Sequence, residues 1–406
     1  MSVQVMNTEA ASVETKNAET KNAEAKTVLL VDDAPANIQI VNSILKGTYK
    51  IQIATSGEKA LKIANQSPPP DLILLDVMMP EMDGYEVCSR LKSAANTRDI
   101  PVIFLTGQTE TDDETRGFEV GAVDYIHKPF SPAVVKARVH THLVLRGIRE
   151  QLASQLLIIK QEMETARQIQ LSILPREIPS IPGLDMAARY IPMTSVAGDF
   201  YDFIQVDEKR IGVLVADVSG HGMPAALISS MLKIALASQT AWASDPARVL
   251  NGLNQALCGK FKGHFVTAAY AFADTGKKTL CYAGAGHPPL ILWDNSAGET
   301  RELVENGLFL GLFPDAAYTS VEIPFREGDW SVLYTDGIPE TTNLAEEQFG
   351  GDRFRLSLQS HHDGSAGQFV DGVLEELSRW SDSASGREPE DDITLLAIHF
   401  NSPCST

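Results

Sequence analysis

From residue 27 onward, short apolar runs alternate with stretches of helical periodicity. The runs Val28–Val31, Ile51–Ala54, Leu72–Leu75, Val102–Leu105 and Val123–Ile126 read as buried strands. Stretches 36–46, 58–66, 84–95, 112–120 and 132–145 read as the helices between them. Strand then helix, repeated five times, predicts an α/β doubly wound domain on a five-stranded parallel sheet over 27–146. An unbroken helical stretch follows, with the stripe Leu145, Ile148, Leu152, Leu156, Ile159, Met163, Ala166, Ile169, Ile173. Its mean step is 3.5 residues, 28 residues in eight steps, which is the coiled-coil period. A helix packed on its own domain is the plainer alternative. Pro175, Pro179 and Pro182 end it, so 147–175 reads as a coiled-coil signalling linker.

Beyond the linker the grammar changes. Strands are expected near 186–191, 200–206, 210–218, 265–273, 279–285, 289–293, 320–325, 330–335 and 393–400, many joined by short turns. Helices are expected only near 223–242, 245–260 and 366–380. Adjacent strands with separate helices predict an α+β domain over 176–402, an antiparallel β-sandwich flanked by helices. Residues 1–26 repeat Glu-Thr-Lys-Asn-Ala without an apolar face and read as a disordered polar tail.

Composition narrows the function. The 406 residues carry 34 Lys and Arg against 53 Asp and Glu, a net charge of −19. That balance argues against nucleic acid or an anionic membrane as partner. Cys88, Cys258, Cys281 and Cys404 form neither a zinc spacing nor a disulfide scaffold, which suits a reducing cytoplasm. No signal peptide and no 18-residue apolar run is visible, so no membrane insertion is expected.

The first domain places acids at the carboxyl ends of its strands: Asp32 and Asp33 after the first, Asp76 after the third. Thr106 follows the fourth strand and Lys128-Pro129 the fifth. In an open parallel sheet those ends border the ligand crevice. Three carboxylates converging there repel one another unless a divalent cation sits among them. Lys128 and Thr106 can contact an anion at the same place, so the chemistry implied is Mg²⁺-assisted phosphorylation of a carboxylate. On these residues segment 27–146 resembles a response-regulator receiver domain. The resemblance implies Asp76 as phosphoacceptor, Mg²⁺ held by Asp32, Asp33 and Asp76, and Thr106 and Lys128 on the phosphoryl oxygens. It makes Tyr125 the switch aromatic and a sensor histidine kinase the phosphodonor.

The second domain repeats one theme, acids beside glycine or another acid at strand borders. The motifs are Gly198-Asp-Phe-Tyr-Asp202, Ala216-Asp-Val-Ser-Gly-His-Gly222, Tyr334-Thr-Asp-Gly337 and Glu390-Asp-Asp-Ile-Thr394. None contains Lys or Arg, so the converging carboxylates demand metal, and all-oxygen ligands suit Mg²⁺ or Mn²⁺. Two such ions about 3.5–4 Å apart can share a water and aim it in line at phosphorus. No Ser-His, Cys-Arg or Gly-x-Ser-x-Gly nucleophile motif is present, so direct attack by water is preferred.

With Ala283-Gly-Ala-Gly-His-Pro-Pro289, Gly311-Leu-Phe-Pro-Asp315 and the lead-in Ala166–Pro175, residues 165–400 resemble the PPM metal-dependent serine/threonine phosphatases of the SpoIIE/RsbU branch. The resemblance implies Asp217 as the acid bridging two metals and the Val218 carbonyl as a backbone ligand. Asp336 and Asp391 become the ligands of the second metal. Asp199 supports the metal-bound water with Asp202 assisting, and Asp392 is expected behind the ligands. Asp199, Asp217, Asp336 and Asp391 are thus the catalytic set. The eukaryotic branch has a His two residues after the bridging Asp. Here that position is Ser219 and the general acid is open; His221 reads as a loop histidine, His287 as a turn residue. The implied substrate is a phosphoserine on a STAS-type anti-sigma-factor antagonist, and the helical stripe implies a homodimer. An adaptor that binds a partner without catalysis is the competing reading; it has no need of Asp217, Asp336 and Asp391.

Overall fold

The computed structural model describes residues 25–107, 116–261, 263–382 and 389–401, and the chain divides into two units, Met1–Leu157 and Ile158–Thr406. The predicted tail lies outside the described residues up to 24, and the predicted helix 112–120 is described from 116, with 116–119 helical.

In the first unit, strands β1 (Thr27–Val31), β2 (Lys50–Ala54), β3 (Leu72–Asp76), β4 (Val102–Thr106) and β5 (Asp124–His127) form one parallel sheet. Its order is β2-β1-β3-β4-β5. Alternate residues serve opposite faces: Leu29 and Val31 join one apolar cluster, Val28 and Leu30 the other. Burial on both faces explains why the strands read as continuous apolar runs. Asp83 caps the helix Gly84–Ser93 by accepting from the Glu86 N–H at 2.7 Å.

The helix Pro132–Ile173 is one continuous element of 42 residues. Ahead of the stripe, Val135, Val139 and Leu143 are buried in the first unit's core. Leu145, Ile148, Leu152, Leu156 and Ile159 are all about half exposed.

The second unit contains two mainly antiparallel sheets. One runs β13 (Asn306–Gly307), β10 (Thr279–Ala285), β9 (Val266–Asp274), β8 (Arg210–Val218), β7 (Phe200–Gln205), with β14 (Val321–Pro324) on β10. The other runs β12 (Glu299–Leu303), β11 (Leu290–Asp294), β15 (Trp330–Tyr334), β16 (Ile393–Phe400), β6 (Leu184–Ile191). Strand alternation builds the layers. Val213, Val215, Ala269 and Ala271 share a cluster with Leu333, Leu396 and Ile398 of the other sheet. On the opposite side of β8 and β9, Leu214, Ala216, Ala268 and Tyr270 pack with Ile228, Leu232, Val249 and Leu253 of the helices Met223–Ala237 and Pro246–Leu257. Val332, Leu395 and Ala397 pack outward with Phe354, Phe369 and Val373, from the helices Gly350–Ser360 and Ala366–Trp380. Among the described residues, no helix is long and apolar enough to cross a membrane.

Candidate functional site

Both acid constellations form at strand ends. In the first unit Asp76 is the last residue of β3, and Asp32 follows β1. Asp32 and Asp76 are buried and Asp33 is exposed. Among the described residues, these three acids are the ones whose carboxylate oxygens all lie within 4.8 Å of one another. That donor set fits a hard divalent cation. The Lys128 ammonium donates to Asp76 Oδ2 at 2.8 Å and to Asp32 Oδ2 at 3.2 Å. Asp32 Oδ1 also accepts from the Ala34 N–H and the Asn37 amide. Burial raises the Asp76 pKa, Lys128 opposes that, and the Asp32 charge adds to it. Burial disfavours the Lys128 charge, but its bonds to Asp76 and Asp32 outweigh this and its pKa is raised. Thr106 is buried at the end of β4, and its carbonyl accepts from the Lys128 N–H at 2.7 Å. The Tyr125 ring is buried against Phe104 and edge-on to Phe118.

In the second unit the alternation that builds the core also aims the acids. Val213 and Val215 point between the sheets, so Asp217 points there from the end of β8, beside its ladder partner Thr267. Thr335 follows β15, and Thr394 lies in β16 in step with Leu396 and Ile398. The Thr335 and Thr394 hydroxyls donate to Asp199 Oδ2 at 2.8 and 2.6 Å. Burial and the Asp217 charge hold the Asp199 carboxyl well above its ordinary pKa. Asp217 is pushed up to about 7 by burial, then by Asp336 and Asp391, and shares a hydrogen bond with Asp199. Two carboxyls can share such a bond only if one keeps a proton. Burial and Asp391 likewise raise Asp336.

This set is looser than the first. The Asp336 and Asp391 charges raise the proton affinity of Asp217, and Asp391 raises that of Asp336, but the three acids do not gather three oxygens within the span that the first set meets. Two glycines allow the approach. A Cβ on Gly198 would meet the Val218 carbonyl oxygen at 2.7 Å and Asp217 Oδ1 at 3.4 Å; one on Gly337 would meet the Asp392 carbonyl at 2.1 Å. The all-oxygen donors, with protons retained in the absence of metal, fit hard divalent ions.

Two acids of these motifs have other partners. Asp202 lies three residues from Asp199 on β7, on the helix-facing side with Phe200 and Ile204. There it pairs with Lys233 at 2.7 Å, so a cation from another element neutralises it. Asp392 spends both oxygens on backbone, accepting from the Met193 N–H at 2.7 Å and the Gly198 N–H at 2.6 Å. It anchors the loop carrying Asp199. His287 is a buried core residue: its Nδ1 lies 2.8 Å from Thr267 Oγ1, and burial lowers its pKa to about 3. His221 is exposed.

Sequence reading missed Thr335, Thr394 and Gln170. The Gln170 amide brackets Ala197, donating to its carbonyl at 2.6 Å and accepting from its N–H at 3.0 Å, and also reaches Ser229 Oγ. Gln170 belongs to the helix Pro132–Ile173, and a polar residue within a helical pattern gives no signal of its partner.

The Stage II sporulation protein E (SpoIIE) family model matches residues 207–401, which include Asp217, Asp336 and Asp391 but not Asp199. The response regulator receiver domain model matches 28–140. Phosphoserine phosphatase RsbU of Bacillus subtilis is 32% identical over 260 residues, covering 63% of this chain and 73% of that protein. A probable cyclic di-GMP phosphodiesterase of Vibrio cholerae is 50% identical over 129 residues, 32% of this chain; the chain spans 29% of that relative. The solved SiaA-PP2C domain of Pseudomonas aeruginosa matches with a TM-score of 0.55 at 26% identity, over 61% of this chain and all of that one.

Proposed function

The chain belongs to the SpoIIE/RsbU family of metal-dependent serine/threonine protein phosphatases, with a response-regulator receiver domain ahead of the phosphatase domain, and on that premise we propose that phosphorylation of Asp76 sets the phosphatase rate. The observation that carries this reading is the acid row at the strand ends: Asp217 beside Asp199, with Asp336 and Asp391 within electrostatic reach. Asp217, the Val218 carbonyl, Asp336 and Asp391 are the residues that would hold two Mn²⁺ or Mg²⁺ ions. Bound there, such ions activate water and neutralise phosphoryl oxygens. Asp199 is held by two threonine hydroxyls in a dry position, ready to accept the proton of the attacking water. In the receiver, Asp32 and Asp33 would bind Mg²⁺ with Asp76, while Lys128 and Thr106 take the phosphoryl oxygens and Tyr125 reports the change.

The finer assignments are part of the same proposal. The domains are 27–146, 147–175 and 176–402. The chain is cytoplasmic, its phosphodonor is a sensor histidine kinase, and the substrate is a seryl-phosphorylated STAS-type anti-sigma-factor antagonist. The half-exposed stripe Leu145–Ile159 supports a homodimer through a coiled coil, which would carry the receiver state to the phosphatase. The test is hydrolysis of a seryl-phosphorylated STAS protein by the full chain, with and without beryllofluoride and Mg²⁺. A rate that changes with beryllofluoride in the wild type, but not in Asp76→Asn, supports the reading. An unchanged wild-type rate refutes receiver control.

A further inference from the structure

We propose that His264 is the general acid of the phosphatase site, giving its Nε2 proton to the departing seryl or threonyl oxygen; the inference rests on the phosphatase reading above. An alkoxide is a poor leaving group, and a positioned acid contributes about 10²–10⁴ in rate. Three histidines come into question: His221 within the loop that follows Asp217, His287 against Thr267, the ladder partner of Asp217, and His264. His221 is exposed. His287 is buried in the core, and burial lowers its pKa to about 3, so its ring is neutral and not an imidazolium acid.

His264 is held differently. Beyond β8 and β9 the ladder continues for one more residue pair. The Ser219 N–H donates to the Phe265 carbonyl at 2.9 Å, and the Phe265 N–H donates to Ser219 Oγ at 2.8 Å. This lacing brings the preceding residue, His264, against the loop. Its Nδ1 lies 2.9 Å from the Ser219 carbonyl oxygen, two residues from Asp217. A carbonyl only accepts, so Nδ1 carries a hydrogen and Nε2 is the nitrogen left for chemistry. The ring is half-buried beside Gly220, whose φ of +86° turns the loop. A histidine with one nitrogen fixed by a carbonyl keeps its ring in one orientation beside the loop that follows Asp217, and an acid catalyst must be positioned in this way.

The step balances. Water oxygen bonds to phosphorus, its proton passing to Asp199, as the bond from phosphorus to the seryl oxygen breaks. That electron pair goes to the leaving oxygen, which takes the Nε2 proton. The imidazole is left neutral, still donating from Nδ1 to Ser219, and recovers its proton from solvent.

The test is a leaving-group series of aryl phosphates, from p-nitrophenyl phosphate to phenyl phosphate, with the full chain in Mn²⁺. An acidic phenol departs without help and a basic one does not. His264→Asn keeps a side-chain N–H for the Ser219 carbonyl and supplies no acid; His264→Gln is the independent second variant. Both should stay within about threefold of wild type on p-nitrophenyl phosphate and lose about tenfold or more on phenyl phosphate, steepening the leaving-group dependence. Equal losses across the series make His264 a positioning residue only and overturn the assignment, as does full retention. A wild type inert on the whole series overturns the phosphatase reading, and this inference with it.

Discussion

Gln170→Ala removes the link between the helix Pro132–Ile173 and the loop that presents Asp199. The Gln170 side chain is buried and makes three hydrogen bonds, two of them bracketing Ala197, which is itself fully buried. Alanine leaves the Ala197 N–H and C=O without partners. At about 1–3 kcal/mol for each buried orphan, and with part of the cost relieved by water entering the gap, the loss is roughly 2–4 kcal/mol. For a unit of this size that lowers the melting temperature by roughly 5–15 °C. The damage is directional, because Asp392 still holds the Gly198 N–H while the preceding residue comes loose. Asp199 should wander, and the Mn²⁺ concentration for half-maximal hydrolysis should rise. Gln170→Glu keeps the acceptor for the Ala197 N–H but turns a carboxylate oxygen toward its carbonyl, so it should do at least as much harm. Calorimetric melting and a Mn²⁺ titration of p-nitrophenyl phosphate hydrolysis read both effects. Wild-type stability and an unchanged metal requirement in Gln170→Ala would refute the reasoning.

Three further outcomes follow from the same geometry. Asp202→Asn breaks the pair with Lys233 and should cost about 1–3 kcal/mol in urea unfolding, yet leave the Mn²⁺ requirement within about threefold; a lost metal response would restore Asp202 to the ligand set. Metal-free protein should lose stability as pH rises through about 7, because burial lifts the Asp199, Asp217 and Asp336 pKa values and the fold favours their protonated forms. Melting in chelator from about pH 5 to about pH 8 should therefore show a decline that saturating Mn²⁺ removes, and a flat or rising curve contradicts it. Leu156→Pro breaks the long helix at an exposed stripe position and should abolish the beryllofluoride response while leaving basal hydrolysis in place; retained coupling rules out transmission along the helix.

What the sequence disclosed and what it hid have physical reasons. Leu72–Leu75 and Val213–Val215 sit in strands buried on both faces, so they appear as apolar runs. Glu299–Leu303 is mostly solvated and carries little apolar signal, and β12 was missed. Gly350–Ser360 was missed because Phe354 and Leu358 are its few buried apolar anchors. The acids were legible because each stands beside glycine or another acid at the end of an apolar run. Their partners were not, since Thr335, Thr394, Gln170 and Lys233 are ordinary residues until the fold brings them to Asp199, Ala197 and Asp202. Asp202 lies on the helix-facing side of β7 with Phe200 and Ile204, whereas Asp199 precedes the strand, and this becomes decisive only when the two faces of β7 are known.

The most direct test is hydrolysis of p-nitrophenyl phosphate by the full chain as Mn²⁺ is titrated, with Asp217→Asn beside the wild type. The account predicts saturable, chelator-sensitive activity in the wild type and none in the variant. Hydrolysis that needs no metal, or an Asp217→Asn protein as active as the wild type, would contradict a phosphatase built on this acid row.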